Sequence, residues 1–194
     1  MLLRKTINDI YRPLSKSVTG RRHFLKAGIG ICTILSMPSV YARNLNTGER
    51  QLAFLNLHTG ERIRSTYWVE GSYIPEELQV IENLLRDHRT GELHAIDTRL
   101  LDLLQLLHDQ TETRKEFHVI SAYRSPKTNA MLASRSNKVV KKSLHMQGKA
   151  IDIRLPDYSL SNLRKAALSL KIGGVGYYPK SDFIHLDTGR VRYW

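Results

Sequence analysis

The sequence has 194 residues, a length that suits one domain with a hydrophobic core and a short additional segment. Its formal net charge of +12 is uneven, because residues 1–42 contain seven basic and one acidic side chain, which leaves 23 basic and 17 acidic residues, a net +6, in the remainder. That moderate charge suits an anionic polymer, whereas no aromatic-interleaved basic stripe or helix-turn-helix pattern supports nucleic acid binding. The single cysteine, Cys32, excludes an intramolecular disulfide.

Residues 1–42 have the features of an export signal. The segment Gly20–Lys26 reads Gly-Arg-Arg-His-Phe-Leu-Lys, which is typical of a twin-arginine (Tat) signal. The apolar run Ala27–Met37 is short for a membrane span, and Val40–Ala42 fits a signal-peptidase site. We predict a Tat signal peptide that is cleaved after Ala42 and a periplasmic domain over residues 43–194 without a stable membrane span. An uncleaved anchor is the alternative.

The first half of this domain alternates strands and helices. Strands are predicted over Leu52–Leu57 and Arg62–Trp68, joined by a turn that contains His58. Pro75 suits the first turn of a helix. Asp97 is predicted to cap a second helix with a broad leucine stripe. We interpret four histidines of this half as turn, surface or structural residues: His58, His88, His94 and His108.

The second half contains the remaining strands. Phe117–Ala122 is a predicted strand, Pro126 begins a short helix, and a further helix is expected near Ser159–Leu170. The glycines of Gly173–Gly176 are typical of a strand here, since no helix start follows them as in a phosphate-binding loop. Together these elements predict an α+β fold, with a small antiparallel sheet and helices packed on one side.

Two short stretches predict a metal site. From Lys149 the residues alternate, so that Asp152 lies on the opposite face to its aliphatic neighbours. Gly148 can reverse the chain and bring His145 back beside Asp152. His185 follows near the end of the sequence on a short strand, where it shares a face with Asp187. Two imidazoles and a carboxylate on neighbouring strands predict one Zn²⁺ per chain, with a fourth position open to water.

These motifs resemble a known group of enzymes. The pattern SxHxxGxAxD over Ser143–Asp152 and the later HxD of His185–Asp187 are similar to those of LAS zinc metallopeptidases, named for lysostaphin, D-alanyl-D-alanine carboxypeptidase and sonic hedgehog. Within that group the chain most resembles the murein endopeptidase K family of peptidoglycan hydrolases. Three further stretches contribute to the resemblance, which covers about Leu52 to Trp194: Asn56–Glu61, Ser121–Ser125 and Gly173–Pro179.

The resemblance implies a hedgehog or D-Ala-D-Ala peptidase-like fold and a substrate site. An arginine at the mouth of a strand can clamp a carboxylate with two parallel hydrogen bonds, and the resembling enzymes use the arginine at the position of Arg124 in this way. A salt bridge that fixes the loop is the alternative role. Ser143 and Tyr123 belong to the same motifs and are assigned to substrate binding with Arg124.

Two residues are candidates for the catalytic carboxylate. Asp182 lies three positions before His185, the offset of the acidic base in related carboxypeptidases, although the murein endopeptidase K pattern is not reliably acidic there. Asp187 can be a base, or a partner that orients an imidazole. Both are predicted to be catalytic.

The function implied by the resemblance is a zinc-dependent murein endopeptidase. It would hydrolyse peptide cross-links of peptidoglycan during wall growth or remodelling. Its partners would be peptidoglycan stems and cross-links, not nucleic acid, and it is expected to be a monomer. Two alternatives stay open: a D-Ala-D-Ala carboxypeptidase or dipeptidase that acts on small wall peptides, and a non-catalytic, zinc-containing wall-binding module.

Overall fold

The computed structural model describes residues 48–136 and 139–194. The predicted signal peptide and its cleavage site lie outside these residues. In the described part of the chain, no helix has the length and apolar character needed to cross a membrane. The described α-helices are α1 (Pro75–Leu84), α2 (Thr98–Thr111), α3 (Pro126–Arg135) and α4 (Leu160–Ser169). The described strands are β1 (Glu49–Asn56), β2 (Arg62–Val69), β3 (Ser72–Tyr73), β4 (Phe117–Ser121), β5 (Ala150–Arg154), β6 (Gly174–Tyr178), β7 (Phe183–Asp187) and β8 (Arg192–Tyr193).

All of these strands belong to one sheet, in the order β3-β2-β1-β4-β5-β7-β6-β8. The α+β class predicted from the sequence is confirmed. The sheet is larger than predicted and mixed, because β1 pairs in parallel with β4 and β6 pairs in parallel with β8. β4 reaches β1 only after the chain has passed through α1 and α2, and such long connections are what parallel pairing requires.

Helix starts follow the chemistry of the sequence. Pro75 opens α1, where its missing N–H costs no hydrogen bond. The Asp97 carboxylate accepts from the backbone N–H of Arg99 and caps α2 as predicted. The hydroxyls of Ser125 and Ser159 cap α3 and α4 in the same way. Local sequence therefore determines where these helices begin.

Side chains from α1, α2 and α4 pack with the sheet into one hydrophobic core. The leucines of α2 are its largest helical contribution. Ile151 and Ile153 of β5 and Ile184 and Leu186 of β7 belong to this core and are fully buried. Because strand side chains alternate between faces, the residues between these four lie on the other face of the sheet. That face carries the candidate site.

Candidate metal centre

The strand register aligns one row of residues across the sheet. Asp152 of β5 pairs with Ser121 of β4 on one side and with His185 of β7 on the other. His185 in turn pairs with Gly176 of β6. Directly paired residues lie on the same face of a sheet, so Asp152 and His185 are brought side by side.

His145 reaches this row from a 3₁₀ turn that covers Leu144–Gln147, immediately before β5. The turn ends at Gly148, whose φ of 63° lies in the left-handed region. A Cβ at Gly148 would also collide with the carbonyl oxygen of Ala95. Glycine is therefore required here on both grounds, as its place in the motif predicts.

Three ligand atoms converge at this point. His145 Nε2 lies 3.2 Å from His185 Nδ1, and Asp152 Oδ1 lies 2.9 Å from His185 Nδ1 and 3.4 Å from His145 Nε2. Tetrahedral zinc with ligand bonds of 2.0–2.1 Å sets its ligand atoms about 3.3 Å apart. The three residues form a group that could hold a metal ion, and their spacing suits an ion of that size.

Each imidazole carries its N–H on the ring nitrogen that points away from the cluster. His145 Nδ1 lies 2.7 Å from the carbonyl oxygen of Ala122, and His185 Nε2 lies 2.9 Å from Asp187 Oδ2. Both partners accept hydrogen bonds, so these nitrogens carry the N–H. With both rings neutral, lone pairs of two nitrogens and one carboxylate oxygen face each other. Such a cluster of acceptors could hold a cation.

The electrostatics of the cluster are consistent with cation binding. Burial opposes ionisation of Asp152, but the charges and hydrogen bonds of the two histidines hold its pKa well below the usual range. Burial also acts to lower the pKa of His185, but its contacts with Asp152 and Asp187 outweigh burial and raise that pKa to about 9. The pocket therefore attracts positive charge, either a proton on His185 or a metal ion in its place.

Asp187 lies behind His185 and is fully buried. Its Oδ1 accepts from the backbone N–H groups of Gly174 and Gly189, at 3.0 and 2.8 Å. Arg192 donates to both of its carboxylate oxygens, at 3.0 and 2.6 Å. Burial opposes the ionised form, but the bonds from His185 and Arg192 keep the pKa of Asp187 low. Every contact of this carboxylate suits a residue that orients His185.

Asp182 has different surroundings. It follows a second 3₁₀ turn at Pro179–Ser181 and has a φ of 53°. Its side chain is 61% exposed and pairs with Arg154 at 2.8 Å. With Arg154 and His118 it lines a surface pocket next to the strand row. The structure thus does not bring the Asp182 carboxylate to the candidate ligand atoms, although its neighbour Ser181 lines their cleft.

Arg124 contacts the second carboxylate oxygen of Asp152, Oδ2, whereas the two histidines contact Oδ1. Its guanidinium is 3.7 Å from Asp152 Oδ2, 3.3 Å from Ser121 Oγ and 3.4 Å from Asn129 Oδ1. Charge-assisted hydrogen bonds are normally about 2.7–2.9 Å long. These long contacts leave the guanidinium with capacity for a further carboxylate.

The other two residues assigned to substrate binding differ in position. Ser143 lines the cleft above the cluster, and its hydroxyl oxygen accepts from the backbone N–H of His145 at 3.3 Å. Tyr123 is buried and stacks on His94, with 4.7 Å between ring centroids. It is not among the cleft residues, so its contacts support the loop that carries Arg124.

The cluster lies in a cleft of about 510 Å³. Its lining includes Tyr178 and three residues that the sequence analysis did not assign to the site: Phe183, Arg192 and Trp194. Tyr178 and Phe183 follow from the β6–β7 register, since they form a direct cross-strand pair. Trp194 and Arg192 are brought in by β8, a two-residue strand that has no pattern of its own. Only the excess of aromatic residues near the end of the sequence could have indicated Trp194, and no sequence signal indicated Arg192.

Comparison with known proteins gives a consistent result. A family model described as peptidoglycan L,D-endopeptidase MepK matches residues 44–194. The chain is 42% identical over 182 residues to the peptidoglycan L,D-endopeptidase MepK of Escherichia coli (strain K12), across 93% of this chain and 100% of that relative. It is 38% identical over 175 residues to the probable peptidoglycan L,D-endopeptidase MepK of Haemophilus influenzae (strain ATCC 51907 / DSM 11121 / KW20 / Rd), across 90% and 94%. The comparison with solved structures gave no significant match. The resemblance inferred from the sequence motifs is confirmed, and the chain belongs to the peptidoglycan L,D-endopeptidase MepK family.

Proposed function

We propose that this chain is a zinc-dependent murein endopeptidase that hydrolyses peptide cross-links of peptidoglycan. The observation that carries the proposal is the cluster of three facing acceptors at the floor of a cleft, in a chain whose relatives are named peptidoglycan L,D-endopeptidases. An L,D-endopeptidase cuts a bond between an L-configured and a D-configured residue. We therefore expect cross-links of that configuration to be the preferred substrate.

His145, Asp152 and His185 would hold the zinc ion. Their ligand atoms are spaced for a tetrahedral site with one position free, and their donor set of two imidazoles and a carboxylate is typical of catalytic zinc. A zinc ion held by these residues would lower the pKa of a bound water to about 7 and would polarise the carbonyl group of the scissile bond.

The residues around the ligands keep them in position. Ala122 and Asp187 each accept the outer N–H of one imidazole, so both rings present a lone pair to the metal site. Arg192 and two backbone N–H groups hold Asp187 in turn. This arrangement supports an orienting role for Asp187, and with it the residue's predicted importance for activity.

Substrate carboxylates would bind at Arg124. Stem peptides of the wall carry free carboxylates, and the cleft presents cationic side chains at Arg124 and Lys142. A bidentate contact with Arg124 would set the scissile bond beside Asp152 and the metal ligands. Ser143 can add a hydroxyl to the same wall of the cleft, whereas Tyr123 contributes by fixing the Arg124 loop.

Hydrolysis also needs a group that takes a proton from the attacking water and gives one to the leaving amine. Asp182 stays the predicted base because of its spacing from His185. Its carboxylate here pairs with Arg154 on an exposed surface. To act as the base in the cleft, Asp182 would have to break that ion pair. Exposed ion pairs contribute about 1 kcal/mol or less, a small barrier to such a change.

The proposal is tested with purified, zinc-loaded protein and cross-linked muropeptide dimers of the two linkage types, L,D and D,D. Chromatography should reveal monomers from the L,D-linked dimer, no product after chelation, and no product from a His145→Ala variant. Release of monomers from D,D-linked dimers alone would contradict the proposed L,D specificity. Release of terminal D-alanine alone would contradict it as well. Binding to sacculi without any product from the fully metallated protein would favour the wall-binding module.

The role of Arg124 is tested by Arg124→Lys and Arg124→Ala. A hydrogen bond to a charged group contributes about 1.5–3 kcal/mol, so kcat/KM on carboxylate-bearing dimers should fall roughly 10- to 100-fold in both variants. Lysine should restore little, because it lacks the planar fork. Zinc content should stay unchanged. Unaltered kinetics in both variants would leave Arg124 with only a structural role.

We also propose that residues 1–42 direct export by the Tat route and that residues 43–194 act in the periplasm as a monomer. The family match over residues 44–194 supports this division. The described cluster and its orienting partners come from one chain, which supports a monomeric site. Changing Arg21 and Arg22 to Lys should leave an uncleaved precursor in the cytoplasm. Normal export of this double variant would contradict the Tat assignment.

A further inference from the structure

One wall of the cleft is aromatic and has no part in the chemistry described so far. Tyr178 of β6 stacks on Phe183 of β7 with 4.6 Å between ring centroids. The indole N–H of Trp194 donates to the Tyr178 hydroxyl oxygen at 2.8 Å. The Trp194 ring centroid is also 5.3 Å from that of His185. The indole therefore links the Tyr178 hydroxyl to a metal-binding histidine on the same side of the cleft.

Gly176, which has no side chain, leaves room for this indole. Gly176 is the direct partner of His185 in the β6–β7 register, so a larger residue would fill the space beside the imidazole. A Cβ at Gly176 would lie 2.8 Å from Trp194 Cε2 and 2.9 Å from Tyr178 Cε2. The backbone of Trp194 is held by two hydrogen bonds to β6, from its N–H to Val175 and from Tyr177 to its carbonyl oxygen. The sheet thus holds the backbone that carries the indole ring.

The hydrogen bond also fixes the direction of the Tyr178 hydroxyl. An indole N–H can only donate, so the phenol oxygen is the acceptor and its own proton points elsewhere. Within residues 48–136 and 139–194, no protein acceptor takes this proton. The hydroxyl is therefore a prepared donor that lines the same cleft as His145, Asp152 and His185.

We propose that Tyr178 is a catalytic residue that donates a hydrogen bond to the carbonyl oxygen of the scissile peptide as negative charge develops there, with Trp194 as its positioning residue. The inference rests on the peptidase function proposed above. Hydrolysis adds water across the C–N bond: the carbonyl carbon gains the water oxygen, the amine leaves with a proton, and Tyr178 keeps its own. A donor aimed at such an oxygen contributes about 10²–10³ in kcat.

The test compares Tyr178→Phe with Tyr177→Phe. Both remove one hydroxyl from β6, but Tyr177 lies on the opposite face, under the Arg164 guanidinium at 4.9 Å. At matched zinc content, Tyr178→Phe should lower kcat on the L,D-linked dimer by about 10²–10³ and leave KM unchanged. Tyr177→Phe should behave like the unaltered protein. Trp194→Phe keeps a ring but loses the N–H, and should cause a smaller fall that is also confined to kcat.

A binding measurement gives a second readout. A phosphinate analogue of the scissile peptide carries charged oxygens in the tetrahedral arrangement of the transition state. Its affinity for Tyr178→Phe, measured by calorimetry, should fall by the same factor as kcat/KM. A rise in KM with kcat unchanged would overturn the catalytic role of Tyr178. Equal kinetics for Tyr178→Phe and Tyr177→Phe would overturn it as well. If the unaltered, metallated protein releases no product, the peptidase function itself fails, and this inference fails with it.

Discussion

Two aspartates, one on helix α2 and one on strand β5, each lie at the centre of a polar cluster. Asp102 of α2 receives hydrogen bonds from Arg50 at 2.7 Å, Tyr67 at 3.1 Å and Tyr73 at 2.7 Å. In that cluster every neighbour donates and the carboxylate accepts. Asp152 of β5 instead faces two imidazoles whose N–H groups are committed to other partners.

The difference lies in the balance of donors and acceptors. The Asp102 cluster is satisfied by the protein alone, and it ties α2 to β1, β2 and β3. The Asp152 cluster has more acceptors than donors, and a buried excess of this kind is unfavourable unless a cation binds. Similar residue types thus produce a structural contact in one region and a candidate metal site in the other.

The largest effect should come from the cluster with excess acceptors. His145→Ala and His185→Ala each remove one of the three proposed ligands, so we expect zinc content and activity to fall to background. Metal analysis by mass spectrometry checks this. Asp102→Asn is the matched control, because it alters the satisfied cluster and should keep about one zinc per chain. Full zinc occupancy in both histidine variants would refute the assignment of the ligands.

Asp182 tests whether a carboxylate outside the cluster takes part in the chemistry. If Asp182 is the general base, Asp182→Asn should lower kcat by about 10²–10⁴ with zinc retained. Arg154→Gln frees the same carboxylate from its ion pair and should not lower kcat. Equal activity of Asp182→Asn and the unaltered protein would remove Asp182 from the mechanism.

Asp187 should have an intermediate effect that acts through the metal. Asp187→Asn keeps the shape of the residue but replaces an oxygen that accepts from His185 or Arg192. Loss of such an orienting contact weakens metal binding by about 10- to 100-fold. Competition with a fluorescent zinc chelator measures the affinity, and excess zinc should restore activity. Activity that stays low at saturating zinc would instead indicate a direct catalytic role.

The smallest effect, a change in stability, is expected in the Asp102 cluster. Tyr67 is fully buried, and Tyr67→Phe removes one of the donors to Asp102. The free energy of unfolding, measured by urea denaturation, should fall by about 0.5–1.5 kcal/mol. Tyr73→Phe removes a donor at the more exposed end of the cluster and should cost less. A change in zinc content in either variant would contradict the separation of the two clusters.

The sequence by itself determined much of the site. Alternation along β5 and β7 places Asp152 and His185 on the face opposite the buried isoleucines, because strand geometry has a period of two. Gly148 could be predicted to turn the chain, and Asp97 to cap α2, since both depend on local backbone chemistry. The three proposed ligands and the α+β class follow from such local rules together with the family motifs.

Only the tertiary structure decided what surrounds these residues. From the sequence, Asp187 could be either a general base or a residue that orients an imidazole. Its contacts with Arg192 and two backbone N–H groups support the orienting role. Asp182 has the spacing of a base, but its partner is Arg154. Trp194 reaches His185 because β8 pairs in parallel with β6 and Gly176 leaves space. Strand periodicity gives the face on which a side chain lies, whereas its neighbours depend on the register between strands that are distant in sequence.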